Sequence, residues 1–221
     1  MFSKIIKEFF LKKLVNKKLT QHELNEPDGK ITTIGILVDE TYFENKRNEP
    51  LNILEIGTFK GASTRAFHEY FPNATIYTID IFVRKQPEEL HDILSEERVK
   101  WLKGDSMNSS LGMKMKKYWG DVKFDFIIDD GAHYPEANRL TFQNCHPFLK
   151  EGGVYFVEDF IPLHLMSLEE LKHDWVVRHA KRYTMLEHNK FMTELDQHNY
   201  KFHDRRKEIR TIDTFIVAIT K

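Results

Sequence analysis

The sequence predicts a doubly wound α/β fold, in which helices cover both faces of a mostly parallel sheet. From Leu51 onward, short apolar runs alternate with segments of helical character. Apolar runs of about four to eight residues, bounded by glycine and polar residues, are typical of strands that are buried on both faces. Strands that alternate with helices along a chain form parallel sheets, because each crossover helix returns the chain to the same edge.

The predicted elements follow one another in the order that this architecture requires. We predict strands at residues 52–56, 75–79, 99–102, 124–128, 154–157, 182–187 and 214–220. We predict helices at residues 62–70, 87–95, 113–118, 135–149 and 168–178. The first of these helices ends before Pro72, and Gly152-Gly153 forms a turn into the fifth strand. The last two strands close the sheet, which then has seven strands.

Composition excludes several classes of protein. With 221 residues, the chain fits one medium domain and an extension better than two full domains. Lys and Arg total 33 against 34 Asp and Glu, which argues against a general nucleic-acid binder. Cys145 is the only cysteine, so no internal disulfide forms, and we predict a reducing, cytoplasmic location. No apolar run approaches the ~18–20 residues that span a bilayer.

The first 50 residues are predicted to be an N-terminal helical extension, followed by the main domain at residues 51–221. In residues 1–19, apolar side chains recur at helical spacing and lysines occupy the opposite face. We favour a lid helix or a contact between subunits of a homo-oligomer, because moderate amphipathicity is normal for a packed helix. A helix that lies on a membrane surface is the alternative.

A glycine turn follows the first predicted strand, in the run Glu55-Ile56-Gly57-Thr58-Phe59-Lys60-Gly61. A dinucleotide fingerprint would need glycine where Phe59 stands, and a phosphate loop would need Lys60 after Gly61 rather than before it. The remaining pattern is an acidic residue, one residue, glycine, three residues and glycine. This pattern resembles the first motif of class I methyltransferases that use S-adenosylmethionine (SAM).

Further strand ends support the resemblance. Asp80 ends the second strand about 20 residues past the glycines, where a carboxylate can accept hydrogen bonds from both ribose hydroxyls. Gly104-Asp105-Ser106 follows the third strand, where this family holds the adenine. Glu55 lies at the end of the first strand, near the expected position of the methionine ammonium group. The resemblance implies a Rossmann-like sheet of seven strands, mostly parallel, with an antiparallel last strand. The cofactor-binding residues that it implies are Glu55, Gly57, Thr58, Gly61, Ser63, Asp80, Ile81, Gly104, Asp105, Ser106 and Asp129.

Two acidic pairs end neighbouring strands, Asp129-Asp130 and Glu158-Asp159. Mg²⁺ prefers oxygen ligands, and such an ion could bind two adjacent substrate hydroxyls and lower the pKa of one. His133, three residues past Asp130, could then accept the proton. Each acidic pair is also consistent with a simple turn or helix cap. Zinc is disfavoured because no Cys/His cluster exists.

The role of Asp129 stays open between a metal ligand, in place of Asp130, and a side chain that holds the loop by hydrogen bonds.

The run Asp129-Asp130-Gly131-Ala132-His133, with the later strand that ends in Glu158-Asp159, narrows the resemblance. Residues 30–160 resemble the metal-dependent sugar O-methyltransferases of macrolide pathways and the related cephalosporin hydroxylase-like group. The family usually has serine where Ala132 stands. This likeness implies Mg²⁺ on Asp130, Glu158 and Asp159, with His133 and Asp130 as catalytic residues.

The expected acceptor is a sugar or another vicinal diol. An Fe(II) hydroxylase and a non-catalytic SAM-binding protein are the alternatives, and the first lacks the two-His-one-carboxylate pattern.

Overall fold

The computed structural model describes residues 46–165, 184–204 and 215–221. Seven strands form a single sheet in the order β3-β2-β1-β4-β5-β7-β6. The strands are β1 Asn52–Ile56, β2 Thr75–Asp80, β3 Val99–Lys103, β4 Phe124–Asp129, β5 Leu149–Phe160, β6 Asn199–Asp204 and β7 Phe215–Thr220. The first five strands pair in parallel, and β7 runs antiparallel to both of its neighbours, β5 and β6. The predicted fold class is therefore confirmed.

Helices lie on both faces of this sheet. The α-helices are α1 Ala62–Tyr70, α2 His91–Leu94, α3 Leu111–Trp119, α4 Pro135–Cys145 and α5 Met185–Leu195. Short 3₁₀ helices occupy Lys46–Asn48, Pro87–Leu90, His146–Phe148 and Leu163–Leu165. In the described part of the chain, no helix is long and apolar enough to cross a membrane.

The core consists of two apolar clusters, one on each face of the sheet. Strand β1 contributes Ile53 to one cluster and Leu54 to the other, because successive side chains point to opposite faces. The first cluster packs against Phe67 of α1 and Ile93 of α2, and the second packs against α3, α4 and α5. Burial on both faces explains why these strands read as continuous apolar runs rather than as alternating ones.

Three predicted elements differ from the structure. The strand predicted at 154–157 is longer, because β5 runs from Leu149 to Phe160 and includes Gly152-Gly153, which we predicted as a turn. The strand predicted at 182–187 is wrong, because helix α5 begins at Met185; the side chain of Thr184 caps it by accepting from the backbone N–H of Glu187 at 3.3 Å. The helix predicted at 135–149 ends at Cys145, and Leu149 already belongs to β5. Strand β6 was not predicted. The helix expected at 168–178 and most of the N-terminal extension lie outside the described residues.

Candidate active site

The strand ends of the central sheet bring the predicted site residues to one edge. Ile56 of β1 is level with Asp129 of β4, and Asp129 is level with Val157 of β5. The residues that follow these paired positions are Gly57, Asp130 and Glu158, which therefore lie side by side at one edge of the sheet. The carboxyl edge of a parallel sheet is where α/β proteins bind ligands.

Three side chains at this edge form a compact group: Asp130, His133 and Asp159. One ligand atom from each lies within 4.8 Å of the others. The His133 Nε2 atom is 3.7 Å from Asp130 Oδ1, and these two side chains are 29% and 10% exposed. Opposite ligands of a divalent ion with bonds of ~2.1 Å lie about 4.2 Å apart. Two carboxylates and an imidazole at this spacing therefore fit one divalent cation after small side-chain adjustments.

Glu158, the third predicted metal ligand, lies outside this group. Its side chain is only 2% exposed, whereas Asp159 is partly exposed. The backbone of Asp159 has a φ of 49°, which departs from the extended conformation of β5. The assignment of Glu158 as a metal ligand stays a prediction, and the geometry brings together Asp130 and Asp159 from the predicted set.

Backbone strain concentrates at the same edge. Among the described residues, positive φ values in non-glycine residues occur at Phe59, Phe82, His133 and Asp159. These residues follow or end strands β1, β2, β4 and β5 in turn. Such conformations are uncommon for residues with a Cβ, and they cluster at ligand sites where the surrounding structure holds them.

Asp129 is buried beneath the acidic group, at 1% exposure. Its Oδ1 accepts from the Gly131 backbone N–H at 3.3 Å, and the Tyr155 hydroxyl donates to its Oδ2 at 3.3 Å. Burial raises the pKa of Asp129 to about 7, although the nearby His133 opposes this shift. Of the two roles left open by the sequence, this geometry favours support of the loop.

Gly57 joins the glycine loop to the acidic group. Its φ is 96°, and a Cβ added there would lie 2.2 Å from the backbone oxygen of Asp130. The Gly57 N–H donates to the carbonyl of Ile79 at 2.8 Å, and the Asp130 N–H donates to that of Ile56 at 3.0 Å. Only glycine fits this position, both for its conformation and for its space. The loop after β1 and the loop after β4 therefore share a backbone contact.

Asp80 holds the loops that follow β1 and β2. Its Oδ2 accepts from the Phe59 N–H at 2.8 Å, and its Oδ1 accepts from the Phe82 N–H at 2.6 Å. Both donors belong to residues with positive φ. Each carboxylate oxygen has a second lone pair, so the side chain can also accept ligand hydroxyls. Ile81 is 48% exposed beside it.

The predicted adenine-binding residues, Gly104-Asp105-Ser106, follow β3. The Gly104 N–H donates to the Asp80 carbonyl at 2.9 Å. Asp105 is exposed, and its Oδ1 accepts from the Met107 N–H at 2.9 Å. The hydroxyls of Ser106 and Thr141 lie 2.8 Å apart, which ties this segment to α4.

The predicted cofactor residues separate into accessible and buried sets. Glu55 and Thr58 are 0% exposed and Ser63 is 3% exposed, so they lie under the loop rather than on its surface. Gly57, Phe59 and Lys60 form its accessible side. Sequence reasoning missed Phe59 as a lining residue. Sequence reasoning also missed Thr64 and Thr78, whose hydroxyls donate hydrogen bonds to Glu55. The signal that could have identified them is the presence of hydroxyl residues in the elements next to a buried glutamate.

Residues 54–160 match a family model described as a methyltransferase domain. Two curated relatives match over 127 residues, which is 54% of this chain. Mycinamicin VI 2''-O-methyltransferase of Micromonospora griseorubida is 29% identical. Demethylmacrocin O-methyltransferase of Streptomyces fradiae is 30% identical. The match spans 30% of the length of each relative. The predicted resemblance to methyltransferases is confirmed.

Solved structures agree on the fold. The MycE methyltransferase of the mycinamycin pathway, solved with Mg and SAH, superposes with a TM-score of 0.54 at 23% identity. The alignment covers 81% of this chain and 47% of MycE. The N-methyltransferase NodS of Bradyrhizobium japonicum, solved with SAH, gives a TM-score of 0.52 at 14% identity, with coverage of 95% and 96%.

Proposed function

We propose that the protein is a Mg²⁺-dependent O-methyltransferase, because residues 54–160 match a family model described as a methyltransferase domain. It would transfer the methyl group of SAM to a hydroxyl of a sugar or another vicinal diol. The observation that carries this proposal is the group Asp130, His133 and Asp159, which abuts the glycine loop through the Gly57 contact. The relatives named as O-methyltransferases of mycinamicin VI and of demethylmacrocin support the choice of a hydroxyl acceptor.

The cofactor would lie along the ends of β1, β2 and β3. Asp80 would accept hydrogen bonds from the ribose hydroxyls, and Ile81 would cover one side of the adenine with its exposed side chain. Gly104, Asp105 and Ser106 would form the far wall. Gly57 brings the main chain close enough for the amino-acid part of the cofactor to approach the backbone. The proposed cofactor site is therefore largely formed by the loops that Asp80 holds.

Asp130 and Asp159 would hold the metal, with Glu158 as the further ligand that the family resemblance implies. Mg²⁺ bound there would orient two adjacent acceptor hydroxyls and lower the pKa of one of them. Asp130 is the less exposed partner of His133. Its Oδ1 lies 3.7 Å from the imidazole Nε2, so a carboxylate lies directly beside the ring.

His133 would act as the general base, beside the metal rather than bound to it. Its imidazole would accept the acceptor's hydroxyl proton while the oxygen–carbon bond forms and the carbon–sulfur bond breaks, which leaves S-adenosylhomocysteine (SAH) and a methyl ether. Histidine titrates near neutral pH, which suits this role. The left-handed backbone of His133 turns the chain directly after the acidic strand end, so the base stays beside the metal group.

The remaining assignments are part of the same proposal. Residues 1–50 would be an extension that serves as a lid or a subunit contact in a homo-oligomer, and residues 51–221 the catalytic domain. The protein would act in the cytoplasm on a small molecule or glycan.

Binding and transfer are tested separately. Thermal shift with SAH, with and without MgCl₂, measures cofactor and metal binding. Labelled SAM with a panel of hydroxylated acceptors then measures transfer. We expect SAH to raise the melting temperature, and transfer to vicinal diols to stop in EDTA. Full transfer in EDTA would contradict the metal assignment, and no shift with SAH would contradict the cofactor assignment.

A further inference from the structure

Glu55 was expected near the methionine ammonium group, but its side chain lies beneath the glycine loop. Glu55 is 0% exposed, and its carboxylate is enclosed by side chains of α1 and β2. A fully buried carboxylate is out of reach of a ligand's ammonium group unless the loop rearranges. Its position therefore indicates a role other than direct contact.

Three hydroxyl groups donate to this carboxylate. Ser63 donates to Oε1, and Thr64 donates to Oε2 at 2.5 Å. Both residues lie in the first turn of α1, which starts at Ala62. Thr78 of β2 donates to Oε2 at 2.9 Å. A buried carboxylate is stable only with such donors, and the positive end of the helix dipole adds to their effect.

The hydroxyl of Thr58 extends this network to the loop itself. The Oγ1 atoms of Thr58 and Thr78 lie 2.6 Å apart. A threonine hydroxyl has one hydrogen, and that of Thr78 goes to Glu55. Thr58 must therefore donate to Thr78, which fixes the direction of the chain from Thr58 through Thr78 to Glu55. One carboxylate thus joins β1, the loop, α1 and β2.

We propose that Glu55 is a positioning residue for the cofactor loop, residues 57–61, and acts through Thr58, Thr78 and the hydroxyls of α1. This inference rests on the proposed SAM site and goes beyond it, because it takes Glu55 out of contact with the cofactor. The loop that Glu55 holds from below also carries the Phe59 N–H that binds Asp80. A displaced loop would therefore disturb the ribose partner and the amino-acid side of the pocket together.

The test compares two ligands that differ only in the amino-acid part: SAH, and 5′-methylthioadenosine, which lacks the ammonium and carboxylate groups. Glu55→Gln keeps the shape but replaces one acceptor oxygen with a donor. We expect the affinity of both ligands, measured by calorimetry, to fall by about tenfold each, as for a lost hydrogen bond to a charged group. Glu88→Gln, at an exposed position, is the matched control and should change neither affinity.

A loss confined to SAH, with 5′-methylthioadenosine unchanged, would show direct contact with the amino-acid part and overturn the inference. Unchanged affinity for both ligands would overturn it as well. If the wild type binds neither ligand, the proposed cofactor site itself fails, and this inference fails with it. These outcomes separate an error about Glu55 from an error about the function.

Thr78 provides a second test that does not depend on the folding of the Glu55 variant. Thr78→Val removes the hydroxyl at constant shape, and Thr78→Ser retains it. We expect Thr78→Val to raise the KM for SAM about fivefold with kcat within about twofold, and Thr78→Ser to restore the wild-type KM. Equal effects of the two variants would assign the change to packing and contradict a hydroxyl-mediated role.

Discussion

The carboxylates on the two sides of the candidate site differ in their partners and in their exposure. On the side of β1 and β2, Glu55 and Asp80 accept hydrogen bonds from hydroxyls and backbone N–H groups of the protein. On the side of β4 and β5, Asp130 and Asp159 are partly exposed and lie within 4.8 Å of each other, with His133. The first arrangement is organised by neutral donors, whereas the second brings like charges together.

This difference indicates what each side is built to receive. Hydrogen-bond donors of the protein hold the first pair of carboxylates in place. The side of β1 and β2 can therefore bind a ligand that carries hydroxyl groups. The second pair brings two carboxylates close together, an arrangement that a divalent cation would stabilise. The side of β1 and β2 should therefore be insensitive to metal, and the side of β4 and β5 should depend on it.

The largest expected effect separates the two sides directly. Asp130→Ala should reduce methyl transfer by about 10²–10⁴-fold, because metal-assisted activation of the hydroxyl contributes several kcal/mol. The affinity for SAH should stay within about twofold of the wild type. Radiolabel transfer and calorimetry measure the two quantities. Asp121→Asn, at an exposed carboxylate paired with Lys116, is the control; equal losses of both quantities in Asp130→Ala would remove the distinction.

His133→Ala sharpens the assignment within the acidic group. A lost general base lowers kcat by about 10²–10⁴-fold while metal affinity is preserved. We expect this pattern in transfer assays and in Mn²⁺ titrations, with His91→Ala as the exposed control. A large drop in Mn²⁺ affinity would instead identify His133 as a metal ligand, which its 3.7 Å distance from Asp130 also permits.

Gly57→Ala tests the backbone contact that joins the two sides. The added Cβ would lie 2.2 Å from the Asp130 carbonyl oxygen, at a φ of 96°. We expect a destabilisation of about 2–4 kcal/mol and a loss of SAH binding. Gly120→Ala separates the two causes, because Gly120 has a φ of 75° but no atom within 4 Å of its added Cβ. That variant should cost about 1–2 kcal/mol, measured by chemical denaturation, because a ψ of −156° with this φ is a backbone conformation that non-glycine residues rarely adopt. Similar losses for both variants would exclude a steric role for the contact.

The smallest expected effect concerns the end of β5 behind the acidic group. His188 stacks on Phe160, its Nε2 lies 2.8 Å from His164 Nδ1, and burial lowers its pKa to about 4. The unfolded state then binds more protons between about pH 6.5 and 4, so stability falls as pH decreases through this window. We expect a loss of order 1–3 kcal/mol in the wild type.

His188→Phe should flatten this part of the pH profile, measured by urea denaturation from pH 4 to 7. His91→Ala should leave it unchanged. An unaltered slope in His188→Phe would assign the acid sensitivity to other groups.

The parallel half of the fold could be predicted because its strands are buried on both faces. Continuous runs such as 124–128 are hard to mistake when glycine and acidic residues follow them. The final strands were harder. The run 182–187 carries apolar and β-branched side chains, but a helix capped by Thr184 begins within it, at Met185. Strand β6 lies at the sheet edge, where burial leaves a weaker pattern.

The site could be predicted only as far as strand ends determine it. Asp80 and Asp130 follow or end buried strands, so topology alone places them at one edge. The burial of Glu55 could not be predicted, because it depends on hydroxyl donors from α1 and β2 that are distant in sequence. The difference in exposure between the buried Glu158 and the partly exposed Asp159 could not be predicted either, because the positive φ of Asp159 is a local feature that residue type does not reveal.

Under the proposed function, the contact between Gly57 and the Asp130 carbonyl bears on redesign with bulkier alkyl donors. Main-chain atoms form the partition between the two loops, so no side-chain truncation there can widen it. Extra room for an ethyl or allyl group would have to come from the accessible face of the loop, at Phe59 and Lys60. Libraries aimed at unnatural alkylation should therefore vary these two positions and leave both backbones intact.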